Sequence, residues 1–251
     1  MVVVLRVGTL NVGTITGKGR EIADLMKIRK ISILHVQETR WRGNKVRCGY
    51  KLLYSGAKKE GRNGVGIIQS KSLKDNIIGV RRTNDRAMVV KLFLDGKTVN
   101  IVSAYPPQAE CDKVEKVAFW QEMDRHLSEI QAEERSIIAG DMNVHVGRTR
   151  EGIERVHGGW GVGERNDDGE RVLDCAVSFG LAIVKTWFEK KENHYITYKS
   201  GARENQTDFL MGRRSHLREV RNCNILNEGC DSTAQGGSGG NGLGDKEHSK
   251  S

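Results

Sequence analysis

The segment SIIAGDMNVHVG, residues 136–147, runs an apolar stretch (Ile137, Ile138, Ala139) into Gly140 and then presents Asp141 and Asn143 two positions apart. Side chains alternate along an extended chain, so these two are expected to face one site together. A carboxylate beside an amide suits two tasks: taking a proton from water and holding a phosphate oxygen.

Other segments end in the same style. Asn11 follows an apolar run in GTLNV, Glu38 in HVQETRW and Tyr105 in SAYPP, and Asp208 opens the run in NQTDFLMG. Taken singly each has a plain structural reading: a solvated strand end for Glu38, a packed turn aromatic for Tyr105 before Pro106-Pro107, an exposed strand start for Asp208. Asn63-Gly64-Val65-Gly66 lacks the third glycine and the helix of a nucleotide-binding loop, and reads as structural.

The elements that must position these residues are short. Strands are predicted over 2–7, 31–36, 50–55, 64–69, 88–94, 98–104, 136–139, 181–186, 195–199 and 208–212, with Asp95-Gly96 as a hairpin turn. Helical spacing predicts helices over 19–29, 113–132 (buried face Val117, Trp120, Leu127, Ile130) and 168–179, the last stopped by Gly180. Such a mixture points to α/β layers with largely antiparallel or mixed sheets. At 251 residues the chain can build one large domain, assigned to 1–235, and the Gly/Ser-rich stretch 236–251 is expected to be disordered.

Lys and Arg number 41 against 32 Asp and Glu, a net charge of +9. Two stretches carry the excess. Residues 41–62, with Arg42, Lys45, Arg47, Lys51, Lys58, Lys59 and Arg62, contribute +6, and residues 213–221, with Arg213 and Arg214, contribute +3. Either they are solvated faces or they meet a polyanion. The five cysteines form no C-x-x-C pair, which argues against a disulfide framework or zinc site and for a reducing, intracellular compartment. No run is long and apolar enough to suggest a membrane span.

The phrases GTLNVGT, HVQETRW, NGVGI, SAYPPQ, IIAGDMNVHVG and QTDFLMGRR occur in this order. In that order they resemble the endonuclease/exonuclease/phosphatase superfamily, particularly the endonuclease domain of RTE-type non-LTR retrotransposons, over residues 3–235. The resemblance implies a four-layered α/β sandwich, two mixed and mainly antiparallel sheets flanked by helices, with the site in the cleft at the strand ends. It implies a metal-dependent DNA endonuclease in which Glu38, with Asn11 beside it, holds Mg²⁺ or Mn²⁺. Asp141 would deprotonate the attacking water, Asn143 and Tyr105 would hold the phosphate, and Asp208 would orient a late histidine. Arg42, Lys45, Arg47, Arg62, Arg213 and Arg214 are the expected DNA contacts, with nuclear residence an inference from the resemblance and the charge. Trp41 and Tyr50 could stack on bases or simply pack locally.

One part of the pattern is absent. The segment NILNEGCDSTAQ follows the family to Gln235, but Gly236 stands where the histidine is expected, and no apolar run follows to make the last strand. His248 lies in the Gly/Ser stretch and His216 in a basic helix-like one, so His145, two residues after Asn143, is the best local substitute. Three readings stay open: an endonuclease weakened or inactivated by the loss, a non-catalytic nucleic-acid-binding relic, and a phosphoinositide or sphingomyelin phosphoesterase.

Overall fold

The computed structural model describes residues 4–41, 49–56, 63–191, 195–196, 198–200 and 203–225. The expectations for 236–251, for the missing last strand, and for Arg42, Lys45, Arg47, Arg62 and His248 lie outside the described residues.

The elements run in the order β1 (Val7–Asn11), α1 (Gly19–Ile28), β2 (Ile33–Gln37), β3 (Tyr50–Ser55), β4 (Val65–Ser70), β5 (Ile77–Arg82), β6 (Ala87–Leu94), β7 (Lys97–Ala104), α2 (Lys113–Ser128), β8 (Arg135–Asp141), α3 (Asp167–Ser178), β9 (Leu181–Ile183), β10 (Tyr198–Ser200), β11 (Arg203–Asn205) and β12 (Asp208–Arg213). Short 3₁₀ segments follow β4, β9 and β12. One sheet has the order β1-β2-β4-β3, the other β5-β6-β7-β8-β12-β9, and β10-β11 form a separate ribbon. Only β1/β2 and β7/β8 pair in parallel among the described strands.

Three cores define the layers. Ile22 and Met26 of α1 pack with Leu34, Val36 and Ile68 on the outer side of the first sheet. Ile33, Leu53 and Ile67 meet Met88, Val90, Val99 and Ile101 between the sheets. Phe119, Met123 and Leu127 of α2 and Val172 and Leu173 of α3 cover Val102, Ile138, Phe209 and Met211 on the outer side of the second. This is the expected four-layered sandwich, and the alternation along β2, β7 and β8 is what feeds both faces of each sheet.

Local chemistry sets the boundaries. Asp112 caps α2 by accepting from Glu115 N at 2.7 Å, and Asn166 caps α3 by accepting from Gly169 N at 2.8 Å. Gly180, at φ +58°, ends α3 as expected. Asp95 and Gly96, at φ +46° and +74°, make the β6–β7 hairpin.

Several expectations are corrected. Helix α2 stops at Ser128, not 132, and its buried residues are Phe119, Trp120, Met123, His126 and Leu127, whereas Val117 faces solvent. The apolar Val114 and Val117 on the wet side displaced the apparent stripe. The first strand occupies 7–11 because its pairing with β2 runs to Asn11 opposite Gln37. Strand β9 covers only three residues before a 3₁₀ turn at Val184–Trp187. Strand β5 was not anticipated; its short IIGVRR run carries an irregular register at Gly79.

Candidate active site

Strand registry brings the polar strand ends together. The parallel pairing of β1 with β2 sets Asn11 beside Gln37 and hence next to Glu38. The parallel pairing of β7 with β8 sets Ser103 beside Ala139, so Tyr105 emerges alongside Asp141. Antiparallel β12 places Asp208 opposite Asp141. All five residues stand at one rim of the two stacked sheets.

Hydrogen bonds close the group. Asn11 Nδ2 donates to Glu38 Oε1 at 2.9 Å and to Asp141 Oδ2 at 3.1 Å, joining the two sheets. The Tyr105 hydroxyl donates to Glu38 Oε1 at 2.9 Å, and Gln108 Nε2 donates to the Tyr105 oxygen at 3.3 Å. Arg40 Nη2 lies 2.9 Å from Glu38 Oε2. Burial pushes the Glu38 carboxyl up, but the donors Asn11, Tyr105 and Arg40 outweigh it and hold it below the usual carboxylate range. Burial, then the Glu38 carboxylate, pushes the Tyr105 phenol well above its ordinary value, so it keeps its proton.

Asp141 and Asn143 are neighbours for a reason other than the expected one. Strand β8 ends at Asp141, and Asn143 sits in the left-handed region at φ +52°. Its backbone N–H donates to Asp141 Oδ1 at 3.1 Å while its Nδ2 donates to Pro106 O at 3.1 Å. A side-chain-capped turn, not strand alternation, sets the pair. Glu38 (φ +53°) and Arg40 (φ +47°) are also left-handed, so three non-glycine residues of the rim hold unfavourable backbone angles. The Glu38 turn is tied down by Thr39 N to Gly64 O and Arg40 N to Asn63 O, which gives the Asn63-Gly64 segment the structural role expected of it.

Asn11 differs from expectation in orientation. Its oxygen accepts from Gly13 N at 3.0 Å, so its nitrogen rather than its oxygen faces the carboxylates. Among the described residues no group of three His, Cys, Asp or Glu side chains converges as a metal site. The donors at the rim are carboxylate, amide and phenol oxygens, with neither thiolate nor imidazole. That set fits a hard cation such as Mg²⁺, which takes one or two carboxylates and fills its other positions with water and phosphate.

Arg86, which sequence reasoning missed, supports Tyr105 from below. The side chain is buried, pairs with Glu115 at 2.8 Å, donates to Tyr105 O at 3.3 Å and lies 5.5 Å from the Tyr105 ring centre. Nothing in NDRAMVV marks it. Gln108 and Arg40 were missed too, although both lie within motifs already singled out.

The expected DNA contacts Arg213 and Arg214 lie elsewhere. Five residues of strand, about 17 Å, separate Arg213 from Asp208. Its guanidinium donates to Phe179 O at 2.7 Å and Ile130 O at 2.9 Å, beyond the C-termini of α3 and α2. Arg214 stacks on Trp187 at 4.4 Å. A guanidinium bonded to main-chain carbonyls fastens helices to the sheet, so Arg213 is a structural residue in this fold. Trp41 and Tyr50 pack against the α1 core.

No protein-family model matches the chain. Craniofacial development protein 2 of Bos taurus is 29% identical over 216 residues, which cover 83% of this chain and 36% of that protein. The homologue from Tragulus javanicus gives 29% over 216 residues and 37% of its length, so the chain spans about a third of the curated relatives it matches. Among solved structures, an AP endonuclease from Archaeoglobus fulgidus superposes with a TM-score of 0.64 at 20% identity, covering 86% of this chain and 89% of that one. The endonuclease domain of TRAS1, a telomere-specific non-LTR retrotransposon, gives 0.61 at 17%, covering 86% and 88%. The APE2 catalytic domain of Xenopus laevis gives 0.65 at 15%, covering 84% and 83%. The fold is the α/β fold of these endonuclease structures. Among the described residues no helix is long and apolar enough to cross a membrane.

Proposed function

We propose that this chain is a metal-dependent phosphodiesterase of retrotransposon origin that nicks DNA, with turnover slowed because Gly236 stands where the resemblance places a histidine. The observation that carries this reading is the convergence of Glu38 and Asp141 on the single amide of Asn11. Two acidic groups facing one small donor at the open end of a β-sandwich suit hydrolysis of a phosphodiester better than any structural task.

Glu38, with Asp141 close by, would hold Mg²⁺ or Mn²⁺. The bound cation neutralises phosphate charge and makes water easier to deprotonate. Asp141 takes the proton from the attacking water, its oxygens aimed by Asn11 Nδ2 and the Asn143 backbone N–H. Tyr105 keeps its proton and can turn its O–H from Glu38 to a phosphate oxygen, while Gln108 holds its oxygen from behind. Asn143 fixes the Pro106 carbonyl and leaves its second amide hydrogen for the phosphate. Asp208, opposite Asp141 in the ladder, completes the acidic wall.

A second reading, a nucleic-acid-binding relic without turnover, is favoured by the placement of the histidines. Among the described residues none hydrogen-bonds Glu38, Tyr105, Asp141 or Asn143. His126 bonds Thr83 and His157 bonds Gly147. His216 lies in the 3₁₀ turn beyond β12. Loss of such a group typically lowers a rate by about 10²–10⁴. A plasmid-nicking assay with Mg²⁺, comparing the parent with Glu38→Ala/Asp141→Ala, separates the readings. Nicking lost in the variant supports the enzyme. Salt-sensitive DNA binding without nicking by a folded parent supports the relic. Hydrolysis of a soluble inositol phosphate with DNA left intact would overturn both.

A further inference from the structure

The connection from Asn143 to α3 is held at many points. Val146 and Arg165 form a β-bridge. His157 is fully buried, its Nδ1 accepting from Gly159 N at 3.1 Å, so Nε2 carries the proton and donates to Gly147 O at 3.1 Å. Arg148 Nε donates to Gly161 O at 3.0 Å, Gly158 N to Thr186 Oγ1 at 2.9 Å and Trp160 N to Thr186 O at 3.2 Å. The backbone lies too close to its support for side chains: a Cβ on Gly158 would stand 2.3 Å from Thr186 O, and one on Gly161 2.5 Å from Gly147 O. This is a rigid platform, and the large hydrophobic side chain it carries into water is Trp160, 42% exposed.

The platform stands at the same end of the sheet as the acidic rim. Ile183 of β9 lies opposite Met211 of β12. Thr186, beneath Trp160, lies three residues past Ile183, and Asp208 lies three residues before Met211. The 3₁₀ turn Val184–Trp187 that holds Thr186 continues from β9 and packs against β12, the strand that opens at Asp208. Trp187, the next indole along, is turned inward with its N–H on Val156 O at 3.3 Å. Of these two indoles Trp160 is the one that faces solvent.

We propose that Trp160 is a base-stacking residue that selects substrates with an unpaired or terminal base near the scissile phosphate. This rests on the nucleic-acid reading above and narrows its substrate class. Within an intact duplex both faces of every base are covered by neighbours. A free face exists only at an end, a gap, a single-stranded tail or an extruded nucleotide, and an indole held rigidly loses little entropy on covering it. Contacts to phosphate alone cannot make this distinction.

The test measures binding of the full chain in EDTA to three fluorescent oligonucleotides of one sequence: single-stranded, blunt duplex, and duplex with an unpaired 3′ tail. Trp160→Ala is expected to weaken the single-stranded and tailed probes by about 5- to 150-fold and the blunt duplex by less than about twofold, with the salt slope unchanged. Trp160→Phe should retain much of the preference while losing part of the tryptophan fluorescence quenching seen on binding. If Trp160→Ala binds all three probes as the parent does, the inference falls while the proposed function stands. A uniform loss on all three probes with a changed salt slope assigns the loop a structural role and overturns it as well. If the parent binds no probe, the nucleic-acid reading itself fails.

Discussion

Asn11 and Asp141, 130 positions apart in the chain, meet through a 3.1 Å hydrogen bond that crosses from one sheet to the other. The same amide nitrogen donates to Glu38, and the Asn11 oxygen is occupied by Gly13 N–H. Gly13 can serve there because it adopts φ +62° with open space about it. A neutral side chain with two hydrogens is thus the link between two acidic groups that would otherwise repel.

Asn11→Ala removes both bonds and leaves Glu38 and Asp141 facing each other. Glu38 is held below the usual carboxylate range partly by Asn11, so its carboxyl rises in the variant and takes up a proton at higher pH. The acid limb of the nicking profile should move to higher pH, and the rate at pH 7 should drop about tenfold or more. An unchanged pH–rate profile would remove Asn11 from the machinery.

Gly140→Ala should fail to fold or lose more than about 4 kcal/mol, because its Cβ would stand 1.7 Å from Ala104 O in the parallel β7 strand. Gly19→Ala, at the start of α1 with nothing within 4 Å, is the control and should be neutral or stabilising by up to about 1 kcal/mol. Urea titration of both variants checks the contrast.

Arg213→Ala should lower stability by roughly 2 kcal/mol, since it strips partners from the half-buried carbonyls of Phe179 and Ile130. Its DNA affinity per folded molecule should stay within about twofold of the parent. Binding isotherms beside a denaturation curve distinguish this from a phosphate-contacting role, which would reduce affinity and salt slope with little change in stability.

His35 lies at the centre of β2, wholly buried, and burial pushes its imidazole down to about 3 from the usual 6.5. The unfolded chain therefore binds a proton between those values that the folded chain refuses. Stability should be fully present above about pH 6.5 and fall as pH drops, by about 2 kcal/mol at pH 5 from this residue. His35→Leu should flatten that loss, and Tm measured from pH 7 to 5 checks the sign. A variant as acid-sensitive as the parent would contradict it.

Sequence punctuation located much of this. Asp95-Gly96 and Gly180 were legible because each is a local requirement of the backbone. The rim residues were legible as polar endings to apolar strands. Strand β5 was not, because Gly79 and two arginines dilute six residues, and the α2 face was misplaced because valine on the wet side mimics a stripe. Arg40 and Arg86 act through left-handed turns and a pocket under Tyr105 that no spacing encodes. Charge counting placed Arg213 on DNA because it cannot tell a guanidinium bonded to carbonyls from one facing solvent.

The parallel ladders have a kinetic consequence. Joining β1 to β2 and β7 to β8 requires closing intervening segments that include α1 and α2, and pairing Asp208 with Asp141 bridges a further 67 residues of chain. Non-local pairings of this kind form slowly and together, after the loop-closure entropy has been overcome. The rim can therefore exist only once both sheets are registered and stacked. On the proposed function, recovery of nicking during refolding should trail recovery of helix signal, which would make it a late and stringent reporter of the native topology.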